Sequence, residues 1–280
     1  FEHWWPADLH VIGKDINRFH TIFWPAMLMS AGLPLPKKVW VHGWLLAQGE
    51  RMSKSRGNFL DPNDVVAALG RDGTRYTVLA EVAFDKDSDV SWDSFVRRYN
   101  ADLANDFGNL LNRSLSMTKR YRQGERSAPT DGNLAVTWAV TFKAYGEKLE
   151  ACLLHEALEM VWTFVGEANK FVETEQPWTL AKAAKNGDAA ADEKLTGVLG
   201  DLLEACRLIA FAAAPFMPEA AARAAAQLGV AYDYADDGNG GPPLRELATW
   251  GALEPGGSIG AAEPLFPRLE TDEADGEAGA

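Results

Sequence analysis

Only two cysteines, Cys152 and Cys206, occur in this 280-residue chain, each alone inside a helical pattern. That scarcity excludes a disulfide framework and a thiolate zinc site. No metal site is expected in this chain. A reducing, cytoplasmic setting follows as the expectation. Long apolar runs are also missing. The longest, residues 208–217, is broken by Pro215 and falls short of the roughly 20 residues that span a bilayer. No membrane segment is expected. Positive charge is in deficit, with 27 Lys and Arg against 40 Asp and Glu, which argues against bulk electrostatic binding of nucleic acid. An initiator Met and a basic-then-apolar leader are absent too, the chain starting among Phe1, Trp4 and Trp5. A portion of a longer protein is the expectation.

What is present is a globular composition, 47% apolar, able to fill one large core or two ordinary ones. The charge is unevenly spread. Residues 1–126 carry 17 basic and 15 acidic side chains and the rest 10 and 25, so the two parts stand at +2 and −15. Residues 113–126 are the clearest basic stretch, with Arg113, Lys119, Arg120, Arg122 and Arg126. The pattern fits a solvated helix end or a strip that tracks phosphates.

Along the chain, Leu9-His10-Val11-Ile12 reads as a short strand ending at Gly13. From Asp15 the apolar residues Ile16, Phe19, Phe23 and Met27 take helical spacing, which Pro25 should kink or shorten. Of these, Phe23 is expected in the core by its helical position. A second strand follows at Val39-Trp40-Val41-His42-Gly43. Strand, helix, strand is one unit of a parallel α/β sheet, whose ligands lie beyond the carboxyl ends of the strands, near Gly13, Asp15 and the loop after Val41. From Asp61 the pattern is helical. Asp61 is an N-cap with Pro62 behind it, Gly70 closes that helix, and Asp72 is expected to cap the next. A long amphipathic helix covers 92–121 with Tyr99, Leu103, Phe107, Leu110 and Met117 as its apolar stripe. Further helices are expected near 134–149, 150–174, 192–213 and 218–228, forming a bundle. Gly, Pro and Asp dominate after Tyr232, and residues 270–280 form an acidic low-complexity tail. The fold class expected is mainly α, a partial parallel α/β (Rossmann-type) segment followed by a helical bundle.

Between the α/β unit and the helix capped at Asp61 lies Gly49-Glu50-Arg51-Met52-Ser53-Lys54-Ser55-Arg56-Gly57-Asn58. Hydroxyls, free backbone N–H groups and cations suit it to a triphosphate, and Gly57 lets it bend. The segment resembles the Lys-Met-Ser-Lys-Ser signature of class I aminoacyl-tRNA synthetases, with Arg51 in place of the first Lys. That resemblance implies ATP-dependent activation of an amino acid, with Mg2+ accompanying ATP. It makes Arg51, Ser53, Lys54 and Ser55 the expected catalytic residues, Lys54 stabilising charge on departing pyrophosphate.

The run Asp8-Leu9-His10-Val11-Ile12-Gly13-Lys14-Asp15-Ile16, then Phe19-His20 and Phe23-Trp24-Pro25-Ala26, is similar to the matching strand and helix of methionyl-tRNA synthetases. The resemblance assigns Gly13, Asp15, Met52 and Lys54 to ATP, and Ile16, His20 and Trp24 to a methionine pocket. His20 and Trp24 are four residues apart on one helix face, where a thioether can pack against both rings.

Asn105, Asn109 and Arg113 recur every four residues in the long helix, a polar stripe that fits either a wet face or base-edge recognition. In Gln176-Pro177-Trp178, Pro177 is expected to stop a helix and present Trp178 from a turn, as a stacking platform or as a plug for the bundle. Both segments resemble the anticodon-binding domain of methionyl-tRNA synthetases, which implies anticodon contacts for Asn109, Arg113, Pro177 and Trp178, and tRNA(Met), methionine and ATP as partners. Pro264-Leu265-Phe266-Pro267-Arg268 resembles that family's end-of-core segment.

The expected division is 1–60, the carboxy-terminal part of a catalytic domain; 61–96, a connecting helical segment; 97–250, an anticodon-binding domain; and 251–280, linker and tail. The His-Ile-Gly-His half of a class I domain is missing, since His10-Val11-Ile12-Gly13-Lys14 has Lys14 where the second His belongs. The expected function is therefore methionine–tRNA ligase, in a chain unable to form the adenylate alone. A free-standing tRNA-binding module would not need Lys54 and Asp15, and a purely structural bundle leaves the loop and Trp178 unexplained. The leucine, isoleucine, valine and cysteine synthetases share the loop but not the segment from Gly13 to Trp24.

Overall fold

The computed structural model of this protein describes residues 1–52, 57–84, 86–231 and 244–270. Strand β1 (His10–Gly13) pairs in parallel with β2 (Val39–His42), Gly13 opposite His42. Between them runs a 3-10 turn (Lys14–Ile16), a π-helical turn (Phe19–Phe23) and α1 (Trp24–Ser30). Pro25 sits in the first turn of α1, where its missing N–H costs nothing. The expected strand, helix, strand unit is there. Its helix is uncovered: only Leu28 of α1 is buried, and Phe23, expected in the core, is half exposed with Phe19 and Met27 beside it.

The signature segment does not leave the parallel pair directly. A second small sheet intervenes, in which β3 (Leu45–Ala47) pairs antiparallel with β4 (Glu50–Arg51) and parallel with β5 (Ser88–Asp89). Helix α2 (Pro62–Glu81) then starts where Asp61 accepts from the Asn63 amide at 2.9 Å, and it breaks at Gly70 (φ 72°, ψ 168°), a left-handed position that glycine takes without strain. Asp72 does cap a helix, but a distant one. Its Oδ2 accepts from the Ala220 amide at 2.6 Å, at the start of α9 (Pro218–Leu228), which has no side-chain cap of its own.

Ser91 and Ser94 form a reciprocal capping box that opens α3 (Trp92–Arg98). The helix continues through a π-helical stretch (Tyr99–Gly108) into α4 (Asn109–Arg122). Gly108 permits the wide turn, because a Cβ there would lie 2.8 Å from the Leu103 carbonyl oxygen. Against this rod pack α6 (Leu154–Glu175) and α8 (Ala189–Ala213), with α5 (Asn133–Glu150) laid on α6 and α7 (Pro177–Lys185) on α8. Every residue of α8 from 198 to 213 is buried, as expected of a helix surrounded on all sides. No helix among the described residues is long and apolar enough to cross a membrane.

The fully buried Glu204 and the nearly buried Arg207 pair at 2.7 Å inside α8. Glu204 also accepts from the Gly251 and Ala252 amides, and Arg207 donates to the Leu247 and Thr249 carbonyls. The pair thereby ties the segment 247–252, which begins in α10 (Leu244–Leu247), across the bundle. Arg207→Met is expected to destabilise the chain by about 3–5 kcal/mol in urea unfolding, because the buried Glu204 carboxylate loses its counter-charge and keeps only the two backbone amides. A midpoint shift worth less than about 1 kcal/mol would show that the pair does not hold the segment.

Burial pushes the Cys206 thiol up to about 12, whereas Cys152 is only half buried. Since the thiolate is the reactive form, a disulfide reagent is expected to titrate Cys152 alone in the folded chain and both thiols after denaturation.

Candidate functional site

At the carboxyl ends of the parallel strands, Gly13 faces His42, and the carboxylate of Asp15 folds back over Gly13. A Cβ on Gly13 would sit 2.9 Å from Asp15 Oδ1 and 3.6 Å from the His42 ring. The bare glycine thus lets an exposed carboxylate close over the strand end. His42 was not singled out from sequence; only its register with Gly13 brings it here. Its Nδ1 lies 2.8 Å from the Gly43 carbonyl oxygen. A carbonyl can only accept, so in the neutral ring Nδ1 carries the proton and Nε2 keeps its lone pair.

Beside this end, Ile16 is exposed and His20 and Trp24 are half buried. His20 Nδ1 lies 3.1 Å from the Ile16 carbonyl oxygen, locking the ring against the preceding turn. Its other neighbours form an aromatic cluster: His10 edge-on at 5.9 Å, and Trp5 edge-on to Trp24 at 5.9 Å. Trp5 is fixed by donating its indole N–H to the Pro34 carbonyl at 2.9 Å. The predicted trio therefore lies against an aromatic wall to which His10 and Trp5 contribute. Spacing could not reveal them, because they come from outside the helix.

Of the signature loop, Ser53, Lys54 and Ser55 lie outside the described residues. Its root is visible. Arg51 ends β4 with its guanidinium 3.0 Å from the centre of the Trp44 ring, a cation–π contact. Met52 is half buried and packs against the main core. Among the described residues no three His, Cys, Asp or Glu side chains gather into a metal site.

On the bundle, Asn105 and Asn109 are exposed, and Arg113 donates to Glu173 at 2.6 Å. Glu173 belongs to the last turns of α6. That helix ends at Gln176 in a left-handed conformation (φ 44°, ψ 61°), and Pro177 starts α7 at once. Pro177 is buried, and Trp178 is presented from the first turn of a helix rather than from a turn between elements. Pro177 stops one helix and nucleates another, since its ring suits a first helical position. Trp178 is 41% exposed, so it does not plug the bundle. It lines a cleft of about 550 Å³ with Tyr121, Arg120, Lys182 and Lys185. The basic end of α4 and the first turn of α7 thus share one surface. Sequence reading missed α7, and with it Lys182 and Lys185, one and two turns beyond Trp178.

Residues 1–115 match the family described as tRNA synthetases class I (M), and residues 122–278 match the anticodon binding domain of methionyl tRNA ligase. A methionine–tRNA ligase of Thermotoga maritima is 41% identical over 278 residues, which are 98% of this chain and 42% of the relative's length. One from Caldanaerobacter subterraneus is 39% identical over 98% of this chain and 42% of its own. Among solved structures, a Mycobacterium tuberculosis methionyl-tRNA synthetase in complex with methionyl-adenylate superposes with a TM-score of 0.84 at 38% identity, covering 96% of this chain and 51% of that one. The chain spans well under half the length of the curated relatives it matches.

The Arg113 to Glu173 bond is partly solvent-exposed, so it orients the guanidinium more than it stabilises the fold. Glu173→Gln is expected to change unfolding free energy by less than about 1 kcal/mol in urea titrations. A larger loss would mean that the pair is a structural clamp.

Proposed function

This chain belongs to the methionyl-tRNA synthetase family, and from that premise we propose that it supplies the carboxy-terminal part of a methionine–tRNA ligase. The reaction it serves is ATP-dependent activation of methionine followed by transfer to tRNA(Met). In the first step the methionine carboxylate attacks the α-phosphate of ATP and pyrophosphate leaves; in the second a tRNA hydroxyl displaces AMP. Residues 1–60 serve the catalytic domain, 61–96 connect it to the bundle, 97–250 bind the anticodon, and 251–280 are linker and tail. Because the chain matches only part of each relative, formation of the adenylate is assigned to the longer protein and not to these residues alone. A cytoplasmic location accompanies this role.

Each assignment has a physical rationale. Asp15, exposed over Gly13 at the strand ends, can accept both ribose hydroxyl protons of ATP. Ile16, His20 and Trp24, with their aromatic neighbours, offer a polarizable wall to the methionine thioether. Arg51, Ser53, Lys54 and Ser55 are assigned to the phosphates, Lys54 to neutralising the leaving pyrophosphate, and Met52 holds the loop's root to the core. Mg2+ is expected with ATP, but the described residues offer no cluster of ligating side chains for it, and no step here runs through the ion. Asn109 and Arg113 read anticodon bases, while Pro177 fixes Trp178 as a stacking surface.

The observation that carries the anticodon reading is the shared surface of α4 and α7, where an exposed indole adjoins Arg120, Lys182 and Lys185 in an otherwise acidic chain. A stem-loop RNA bearing CAU is expected to bind this chain more tightly than one with another anticodon. Trp178→Ala is expected to cost about 1–3 kcal/mol of that binding, the range for base–aromatic stacking, measured by fluorescence anisotropy. Equal binding of both RNAs, or an unchanged affinity in the variant, would sink the anticodon assignment.

A further inference from the structure

Trp44 carries two cations on one ring. Lys14 Nζ lies 3.8 Å from its centre, and the Arg51 guanidinium 3.0 Å. Each is attracted to the indole, but the two repel each other, and exposed cation–π contacts are too weak to hold like charges together. Asp87 supplies the missing counter-charge. Its two carboxylate oxygens take Lys14 Nζ at 2.5 and 2.6 Å, and Oδ1 also accepts the Trp44 amide at 2.9 Å. Hydrogen bonding to Lys14, then to the Trp44 amide, with the charge of Arg51 adding, holds its carboxyl below the usual carboxylate range.

Beyond the Asp87 to Trp44 bond, the segment carrying Asp87 grips the hairpin and its approach at two further points. Gly43 is pressed so close to the Lys86 carbonyl that a Cβ would lie 2.1 Å from its oxygen. Two residues beyond Asp87, Asp89 accepts from the Gly49 amide at the hairpin tip, at 2.9 Å. The same segment then runs into the Ser91 cap of α3. Asp87 thus stands where three elements meet: the turn holding Gly13 and Asp15, the hairpin ending in Arg51, and the start of the bundle.

We propose that Asp87 is the positioning residue of the signature hairpin, setting Arg51 at the root of the loop through Lys14 and Trp44 so that its guanidinium meets the ATP phosphates. Asp87 itself touches no substrate. The arrangement also accounts for arginine where the family signature begins with lysine, because a planar guanidinium can stack on an indole and still present N–H donors at its edge. This rests on the synthetase reading above.

The test is methionine-dependent ATP–pyrophosphate exchange in a full-length synthetase carrying this chain. Asp87→Asn keeps an acceptor for the Trp44 amide and removes the charge. It is expected to lower kcat/KM for ATP about tenfold, as loss of an ordering contact at a phosphate site does. The KM for methionine and the thermal midpoint should stay unchanged. Asp87→Glu, which restores the charge, should recover part of the loss, and Trp44→Leu should reproduce it. Unchanged ATP parameters in Asp87→Asn overturn the proposal, as does a methionine KM that rises in step with that for ATP, or no recovery with Glu. If the unmutated protein shows no exchange at all, the synthetase reading itself has failed.

Discussion

A buried ion pair organises the described carboxy-terminal half of this protein. Glu204 and Arg207 lie one helical turn apart in α8, the helix around which the bundle packs, and neither meets water appreciably. Charges in such a place are tolerable only when every lone pair and proton is used. Here the surplus hydrogen bonds go to the backbone of residues 247–252. The return of the chain over the bundle is thereby specified, and other polar groups continue it. Trp138 donates to the Ala248 carbonyl, Arg126 donates to the Glu254 carbonyl, and Asn100 exchanges two hydrogen bonds with Leu269. Asn100 lies within the rod that carries the candidate residues Asn109 and Arg113, so the end of the described chain is tied back to that helix.

The bundle in turn supports both candidate sites. Its rod, α3 through α4, carries Asn109 and Arg113 along one face and meets α7 at the basic cleft. At its other end, the residues before α3 clasp the hairpin from which the signature loop departs. Strain-free backbone devices make the joints: a glycine break at Gly70, a wide turn allowed by Gly108, and a proline that ends α6 and begins α7. Each is local, yet each sets the direction of the helix that follows it. By contrast the amino-terminal helix has almost no buried face of its own, and its apolar residues Phe19, Phe23 and Met27 stay uncovered.

Much of this was legible in the residues. The parallel strand unit, the cap at Asp61, the break at Gly70, the long rod and most bundle helices follow from periodicity and from Asp, Pro and Gly at element ends. The candidate residues for ATP, methionine and anticodon were named from family resemblance, and the family is the one the chain belongs to. Errors arose where a local rule was applied to a residue with a distant partner. Asp72 looked like the cap of its own helix and caps α9 instead, 148 residues away. Phe23 had the spacing of a core residue, but spacing cannot say whether a covering element exists. Pro177 was read as a stop, and its equal fitness as a start hid α7.

By itself, then, the amino-acid sequence determined the family, the parallel strand unit, most of the helices and the chemistry available at each candidate position, because these depend on residue type and near-neighbour spacing. Tertiary structure alone decided which residues from separate elements share a surface: His42 with Gly13, Trp5 and His10 with His20 and Trp24, Lys182 and Lys185 with Arg120. It also decided the role of Asp87, a carboxylate with no motif around it. Its partners Lys14, Trp44 and Arg51 lie dozens of residues away, and only packing of β5 against the hairpin brings their charges within reach of one another.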